Sequence, residues 1–395
     1  MSGILSSVYD NISFALQLNS RALARLQEQA STGMRINRPS DDPSTGYRIL
    51  ALNSQDKRLA DYIDNLSDVS STLEMSSSIL QSMTDVVVQA KIDLRQITSG
   101  VYNEQDRQRC AGAIDDVLEQ LVQLANTEHA GQYLFAGADT AVAPYLIQRT
   151  NGEITAVTYQ GSGEDRKINV APGVQSSSFY VGEDLFRSDN RAAPVFLGST
   201  GAKAGTGTSS ATGDVWLTVI NDGSNYKISI DDGATYVTVP AGGSANQAVT
   251  DSRTGKVLYV DTTAITATGT DLVRVPGTYD VFNTLITIRD ILKNERGLSD
   301  SQMAQLRTNT LQSMDEINNL LVQDQASMGS RIGFLSNLKD TLENIKFNTE
   351  DETAAIGQAD IAAVAVDLSR RQVLYQMSLS VAGRLMSMSL LDFIN

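Results

Sequence analysis

The chain has 395 residues, 41% of them hydrophobic and 19% charged, and its 31 Lys and Arg against 46 Asp and Glu leave a net charge of −15. At roughly 150 residues per domain that length allows two to three domains with real cores. The acidic balance excludes a basic nucleic-acid surface and opposes contact with an anionic membrane. The single Cys110 and single His129 exclude an internal disulfide and a Cys/His zinc site, and leave a carboxylate-only active site standing.

No basic residue precedes Arg21, and neither a continuous apolar stretch nor a cleavage site follows, so no cleaved secretory signal is expected. No run approaches the ~18–20 apolar residues of a membrane span, and a soluble chain is expected.

The first element predicted is a helix whose apolar stripe alternates steps of four and three: Leu5, Tyr9, Ile12, Leu16, Asn19, Leu23, Leu26 and Ala30. It gives way to Gly33-Met34-Arg35-Ile36-Asn37-Arg38-Pro39-Ser40-Asp41-Asp42-Pro43, where two prolines forbid a continuous helix. Asp42 followed by Pro43 reads as N-cap and first helical position. Asp41 and Asp42 without further spaced ligands do not match a calcium loop.

A long helix follows. Leu59, Tyr62, Leu66, Val69, Leu73, Ser76, Leu80, Met83, Val87, Ala90, Leu94 and Ile97 step by three and four without a break, a coiled-coil-like period, with Gly100 as its terminator. A second bundle helix carries Cys110, Ile114, Val117, Leu121 and Leu124 on one stripe. Cys110 reads as a buried small hydrophobe, and His129 is expected at that helix's end, where a cation suits the dipole.

Composition then changes. Residues 131–277 hold 19 of the 29 Gly and are rich in Thr, Val and Tyr. Asn151-Gly152 divides Tyr145–Arg149 from Ile154–Tyr159. Asn221-Asp222-Gly223 and Asp231-Asp232-Gly233 divide Val215–Ile220, Tyr226–Ile230 and Thr235–Val239, which predicts a β-meander. Gly198–Gly213 reads as a loop. A third bundle helix follows, with Met314, Ile317, Leu321, Met328, Leu335, Leu338, Leu342 and Ile345 on its stripe. The last helix repeats the pattern of the first through Ile361, Ala365, Leu368, Gln372, Tyr375, Leu379, Ala382, Met386, Ser389 and Phe393.

The fold class expected is mainly α with a β-rich, sandwich-like insert: an elongated antiparallel helical bundle with paired terminal helices. Two matching stripes at opposite ends of one chain pair with each other or with other subunits. The candidate assembly-interface residues are Ile12, Leu16, Leu23, Leu26, Leu368, Tyr375, Leu379, Met386 and Phe393. No catalytic, cofactor or metal residue is assigned. Asp222, Asp231 and Asp232, the carboxylates an enzyme reading would use, all sit in predicted turns, with no base or nucleophile beside them.

Four motifs carry a family resemblance: Ser31–Pro43 with its Gly-x-Arg-Ile-Asn core; Gly131-Gln132-Tyr133-Leu134-Phe135-Ala136-Gly137 followed by a hairpin ending at Tyr159-Gln160-Gly161; Gln358-Ala359-Asp360-Ile361-Ala362; and Tyr375-Gln376-Met377-Ser378-Leu379 with Ser389-Leu390-Leu391-Asp392-Phe393. In these the chain resembles the flagellin family over roughly 1–138 and 280–395. The Pro-Ser-Asp-Asp-Pro and Tyr-Leu-Phe-Ala-Gly segments are more similar to its hook–filament junction members than to bulk filament subunits.

The resemblance implies a structural adaptor in a ring that joins hook to filament, with bulk flagellin as the alternative. It implies paired terminal helices (1–37 with 355–395) that are mobile in the monomer, a bundle (38–138 with 280–354) and an outer β-rich domain (139–279). The implied partners are other copies of the chain, the adjacent hook-associated protein, flagellin on the filament side, and an export chaperone at the C-terminal helix. Nucleic acid and membrane are not among them. Export through the flagellum-specific type III apparatus, without a cleaved signal, would place the protein outside the cell.

Overall fold

The computed structural model describes residues 2–98 and 103–394. In chain order these form α1 (Ser2–Thr32), α2 (Pro43–Thr98), α3 (Glu104–Ala125), the short strands β1 (Glu128–His129) and β2 (Gln132–Tyr133), and the strands β3 (Tyr145–Thr150), β4 (Glu153–Tyr159), β5 (Arg166–Ala171) and β6 (Val174–Phe179). Then come α4 (Gly182–Phe186), β7 (Val195–Leu197), β8 (Lys203–Ala204), β9 (Gly213–Asn221), β10 (Tyr226–Ser229), β11 (Val237–Thr238), β12 (Gln247–Thr250), β13 (Val257–Asp261), β14 (Gly269–Val275), α5 (Val281–Lys293), α6 (Asp300–Gly357) and α7 (Ile361–Ile394). The chain divides into two compact units, residues 1–64 with 338–395, and residues 65–337; α2 and α6 contribute to both.

In the 65–337 unit the predicted heptads are the core. Leu66, Val69, Leu73, Ser76, Leu80, Met83, Val87, Ala90 and Leu94 of α2 are all buried, as are Cys110, Ile114 and Leu121 of α3 and Met314, Ile317, Leu321, Met328 and Leu335 of α6. Ser76, the polar member of the stripe, is satisfied because its hydroxyl donates to the Thr72 carbonyl at 2.9 Å. Gly100 and the side chain of Ile97 lie outside the described residues.

Two expectations need correction. The α6 stripe does not run through Ile345, which is exposed; it keeps a seven-residue step through Leu342 to the buried Thr349. His129 does not end a helix. The Asn126 side chain instead bonds both the amide and the carbonyl of Tyr145 at 2.9 Å. That turns the chain after α3, and His129 pairs with Gln132 in a tight β1–β2 hairpin. Ala130 and Gly131 take positive φ there, the signature of a two-residue hairpin turn.

The bundle also holds a helix the periodicity did not announce. The short α5 is buried nearly all round and packs on α3 and β4. Its Arg289, 3% exposed, donates to Asp115 at 2.6 Å, to the Ile154 carbonyl at 2.6 Å and to Asp290 at 2.8 Å. One side chain thus ties α5 to α3 and to β4.

The predicted meander is present as β9–β10–β11, and Asn151-Gly152 turns the β3–β4 hairpin with both residues at positive φ. The meander belongs to a five-stranded sheet, β11-β10-β9-β14-β7, which shares a core with the three-stranded sheet β12-β13-β8. Leu217, Val219, Ile228, Val249, Leu258 and Val260 fill the space between them, as in a small sandwich. The β3–β4 and β5–β6 hairpins instead send Tyr145, Ile154, Val157 and Phe179 into the helical core. Gly198–Gly213 is loop apart from the two-residue β8 and Gly213 itself, which opens β9.

Candidate assembly interface

The terminal helices lie in the unit built from residues 1–64 and 338–395. Neither Gly nor Pro interrupts residues 4–32, so α1 runs unbroken until Gly33. Gly33 adopts φ +70° and its amide donates to the Gln29 carbonyl at 2.9 Å, a left-handed helix stop. At the other end Asp360 caps α7, its carboxylate accepting from the Ala363 amide at 3.0 Å. Asp42 caps α2 as expected: the hydroxyl and amide of Thr45 and the hydroxyl of Ser44 bond to it and bring its carboxyl down to about 2.

α1 packs on α7. Ile12, Leu16, Leu23 and Leu26 are half-buried, as are Leu368 and Tyr375, and Val364 is buried. On two helices that pack together, these are the least exposed of the candidate residues. Leu379 is different, because 46% of it is exposed. The side chains of Met386 and Phe393 lie outside the described residues.

A second apolar stripe on α7 faces away from α1. Val366 is 67% exposed, Val373 55%, Met377 61% and Val381 54%. Phe14 and Leu18 on α1 and Ile361 and Leu374 on α7 are exposed as well. Residue-level periodicity does not single out Val366, Val373, Met377 and Val381; the signal that could have done so is that α7 is apolar on more than one face.

Between the helices the chain turns two corners, and they are bonded to each other. Met34 forms an antiparallel bridge with Gln358. The Arg35 amide donates to the Gly357 carbonyl at 2.8 Å, and the Ala359 amide donates to the Gly33 carbonyl at 2.9 Å. The Arg35 guanidinium donates to the Ile356 carbonyl at 3.0 Å, at the end of α6. Asp41 accepts from the amides of Asn37 and Arg38, so its role is loop closure.

The carboxylates of the β-rich region are occupied in the same manner. Asp222 accepts from the amides of Ser224 and Asn225 and pairs with Lys227 at 3.0 Å. Asp231 is buried, which by itself would raise its carboxyl, but bonds from Thr235, Ser252 and Ser229 hold it well below the usual range. Asp232 pairs with Arg296 at 2.8 Å. A cleft of about 410 Å³ opens near them, lined by Trp216, Asp214, Asp280, Lys256 and Arg296 among others. The Arg296 guanidinium already covers a face of Trp216, 4.6 Å from the ring centre. Among the described residues no cluster of His, Cys, Asp and Glu is arranged to hold a metal ion, and no helix is long and apolar enough to cross a membrane.

Comparison with known proteins gives this geometry a relationship. Residues 7–140 match the model of the bacterial flagellin N-terminal helical region. Flagellar hook-associated protein 3 of Escherichia coli is 27% identical over 162 residues, 41% of this chain and 49% of that protein. The protein of the same name from Salmonella typhimurium is 30% identical over 129 residues, 32% of this chain and 40% of that protein. The chain thus spans less than half the length of these curated relatives. Flagellin A of Helicobacter felis is 26% identical over 40% of this chain and 31% of its own length. The crystal structure of flagellar hook-associated protein 3 from Legionella pneumophila covers 78% of this chain and 97% of its own, with 17% identity and a TM-score of 0.51, which establishes a shared fold. Residues 7–140 are therefore similar to the flagellin N-terminal helical region, and part of the chain is similar in sequence to flagellar hook-associated protein 3.

Proposed function

We propose that the chain is a structural adaptor of the bacterial flagellum, a subunit of the ring that joins hook to filament by packing and without catalysis. The observation that carries this reading is the terminal hairpin, with one apolar seam between α1 and α7 and a second apolar stripe turned outward. A solvated helix has no use for a second stripe. Association with further helices removes it from water, and burial of a Val or Met side chain contributes ~1.5–3 kcal/mol.

The partners of this reading are other copies of the chain, the adjacent hook-associated protein on the hook side and flagellin on the filament side. An export chaperone takes the C-terminal helix beforehand, roughly 361–393. The chain leaves the cell through the flagellum-specific type III apparatus without a cleaved signal. The layers are the terminal helices (1–37 with 355–395) at the tube's interior, the bundle (38–138 with 280–354) around them, and 139–279 outside. The terminal segments are mobile until association orders them; limited proteolysis that spared both ends of the monomer would contradict this.

A strain lacking the gene tests the whole reading. It is expected to build hooks without attached filaments and to release filament protein into the medium. Normal filaments in that strain would refute the adaptor role. Similarity to flagellins keeps the bulk filament subunit as the second reading, and copy number separates the two: thousands along the filament, or one narrow zone at its base.

A further inference from the structure

We infer that the bonded corner between Gly33–Arg35 and Ile356–Ala359 sets the register of the terminal hairpin, with Arg35 as its positioning residue. The inference deepens the assembly reading above, since it concerns which face the hairpin offers to its partners.

The need for such a device follows from the stripes. A seam repeating every seven residues looks the same to its partner after a seven-residue slip. The seam residues of α1 and α7 are apolar apart from the half-buried Asn19 and the exposed Gln372, and one partly solvated polar pair is a weak mark of alignment. Packing alone therefore leaves several registers close in energy, offset by ~10 Å at ~1.5 Å per residue.

The corner removes that ambiguity. Its bridge joins Met34 to Gln358. Counting outward, Leu23 lies eleven residues before Met34 and Leu368 ten after Gln358; Leu16 lies eighteen before and Tyr375 seventeen after. Half-buried residues of the two helices thus stand at matching distances from the corner, and the corner's bonds select this alignment from those a heptad slip would offer.

The corner is built to hold. Gly33 takes its left-handed turn with open space where a Cβ would sit, so glycine is there for its conformation. The Gln29 amide donates to the Arg35 carbonyl at 2.7 Å and the Asn37 amide to the Met34 carbonyl at 3.2 Å, so the corner's own carbonyls are occupied. Arg35 carries two of the cross-links, one from its amide and one from its guanidinium. A chain whose ends are otherwise mobile can then pair outward from the corner, which places the exposed stripe of α7 at one height in every subunit.

Disulfide trapping in the full chain tests this, in a Cys110→Ser background. One variant carries Leu23→Cys with Leu368→Cys, the native register. The other carries Leu16→Cys with Leu368→Cys, reachable only after a one-heptad slip, because a disulfide needs Cα atoms within ~7 Å. With the corner intact the native pair is expected to close more than about tenfold faster. Adding Arg35→Gln, or Ala359→Pro, which removes the amide donated to Gly33, is expected to bring the two rates within about threefold, because each removes a bond across the corner. Arg35 is exposed, so Arg35→Gln does not threaten folding. Equal rates with the corner intact, or an unchanged ratio in both corner variants, would overturn the inference. Normal filaments in the deletion strain would refute the adaptor reading and leave this ratio as it is.

Discussion

Val373→Asp on the outward stripe of α7 separates assembly from folding. Val366, Val373, Met377 and Val381 each keep more than half of their surface in water within the chain. Full burial of such a side chain is worth ~1.5–3 kcal/mol, so each retains ~1–2 kcal/mol for association, and the stripe roughly 4–8 kcal/mol gross. An aspartate at the centre of the stripe loses its own share and adds the cost of desolvating a charge, several kcal/mol. A deficit of even ~3 kcal/mol weakens association more than 100-fold. The isolated chain has no reason to notice, because the substituted position is exposed. Far-UV circular dichroism and the urea midpoint of the purified variant are therefore expected to match wild type. Complementation of the deletion strain is expected to leave hooks bare. If Val373→Asp restores filaments as well as wild type does, the outward stripe is not an interface and the reasoning from exposure fails.

Three further predictions concern the 65–337 unit. Arg289→Met leaves Asp115 and the Ile154 carbonyl without their donor and is expected to cost about 3–5 kcal/mol in urea unfolding, while adding Asp115→Leu should recover part of it; a loss under about 1 kcal/mol would mean that the Arg289 contacts are dispensable. Burial pushes the Asp324 carboxyl up to about 6, and one of its oxygens has no hydrogen-bond partner. A carboxyl raised above its unfolded value near ~4 destabilises the fold only when charged, so the penalty is absent below pH ~4, grows between pH ~4 and 6, and is complete above. Asp324→Asn is accordingly expected to stabilise the chain by about 1–3 kcal/mol at pH 7.5 and to have little effect at pH 4, read from urea midpoints at both. Burial, with a smaller contribution from Asp93, pushes the Cys110 thiol up to about 11. A thiol reagent at pH 8 should modify it in denaturant and spare it in the native chain; rapid native labelling would contradict its burial.

What the sequence made legible was whatever repeats with one face. The α2 stripe was readable to the residue from Leu66 to Leu94 because each of these layers is buried in its unit, and the Asn151-Gly152 hairpin because its turn demands positive φ at both positions. α5 was hidden for the opposite reason. Val281, Thr284, Ile286, Thr287, Ile288 and Ile291 are β-branched, which disfavours helix, and burial on nearly every side erases the period. Packing on α3 and the Arg289 bonds override that preference. The Ile345 error is a matter of chemistry: the true next layer is Thr349, whose hydroxyl donates to the Ile345 carbonyl at 2.8 Å and so enters the core satisfied. On α7 periodicity found apolar positions but not which of them faces α1. With two apolar stripes, Ile361 and Leu379 fit a heptad as well as Val364 does, and only the paired structure separates them.

Charge places a further constraint on how such a chain associates. The first 37 residues carry Arg21, Arg25 and Arg35 against Asp10 and Glu28, and residues 355–395 carry Arg370, Arg371 and Arg384 against Asp360, Asp367 and Asp392. The terminal hairpin is close to neutral, so the net charge of −15 belongs to the rest of the molecule. In the proposed assembly, where the hairpin lines a tube, like charge brought into that water-poor interior would repel strongly, because screening by salt fails there. A neutral hairpin avoids that penalty, while the acidic remainder keeps free chains apart in solution. Ordering each terminal residue costs ~1–2 kcal/mol of backbone entropy, so if the free chain's ends are mobile, as proposed above, two free chains meeting end to end must order both hairpins for a single shared stripe. A chain arriving at an end that already presents ordered hairpins orders only its own. The same stripe is therefore a poor dimerisation surface and a good site for adding subunits to a preformed end, the behaviour an adaptor built onto an existing hook requires.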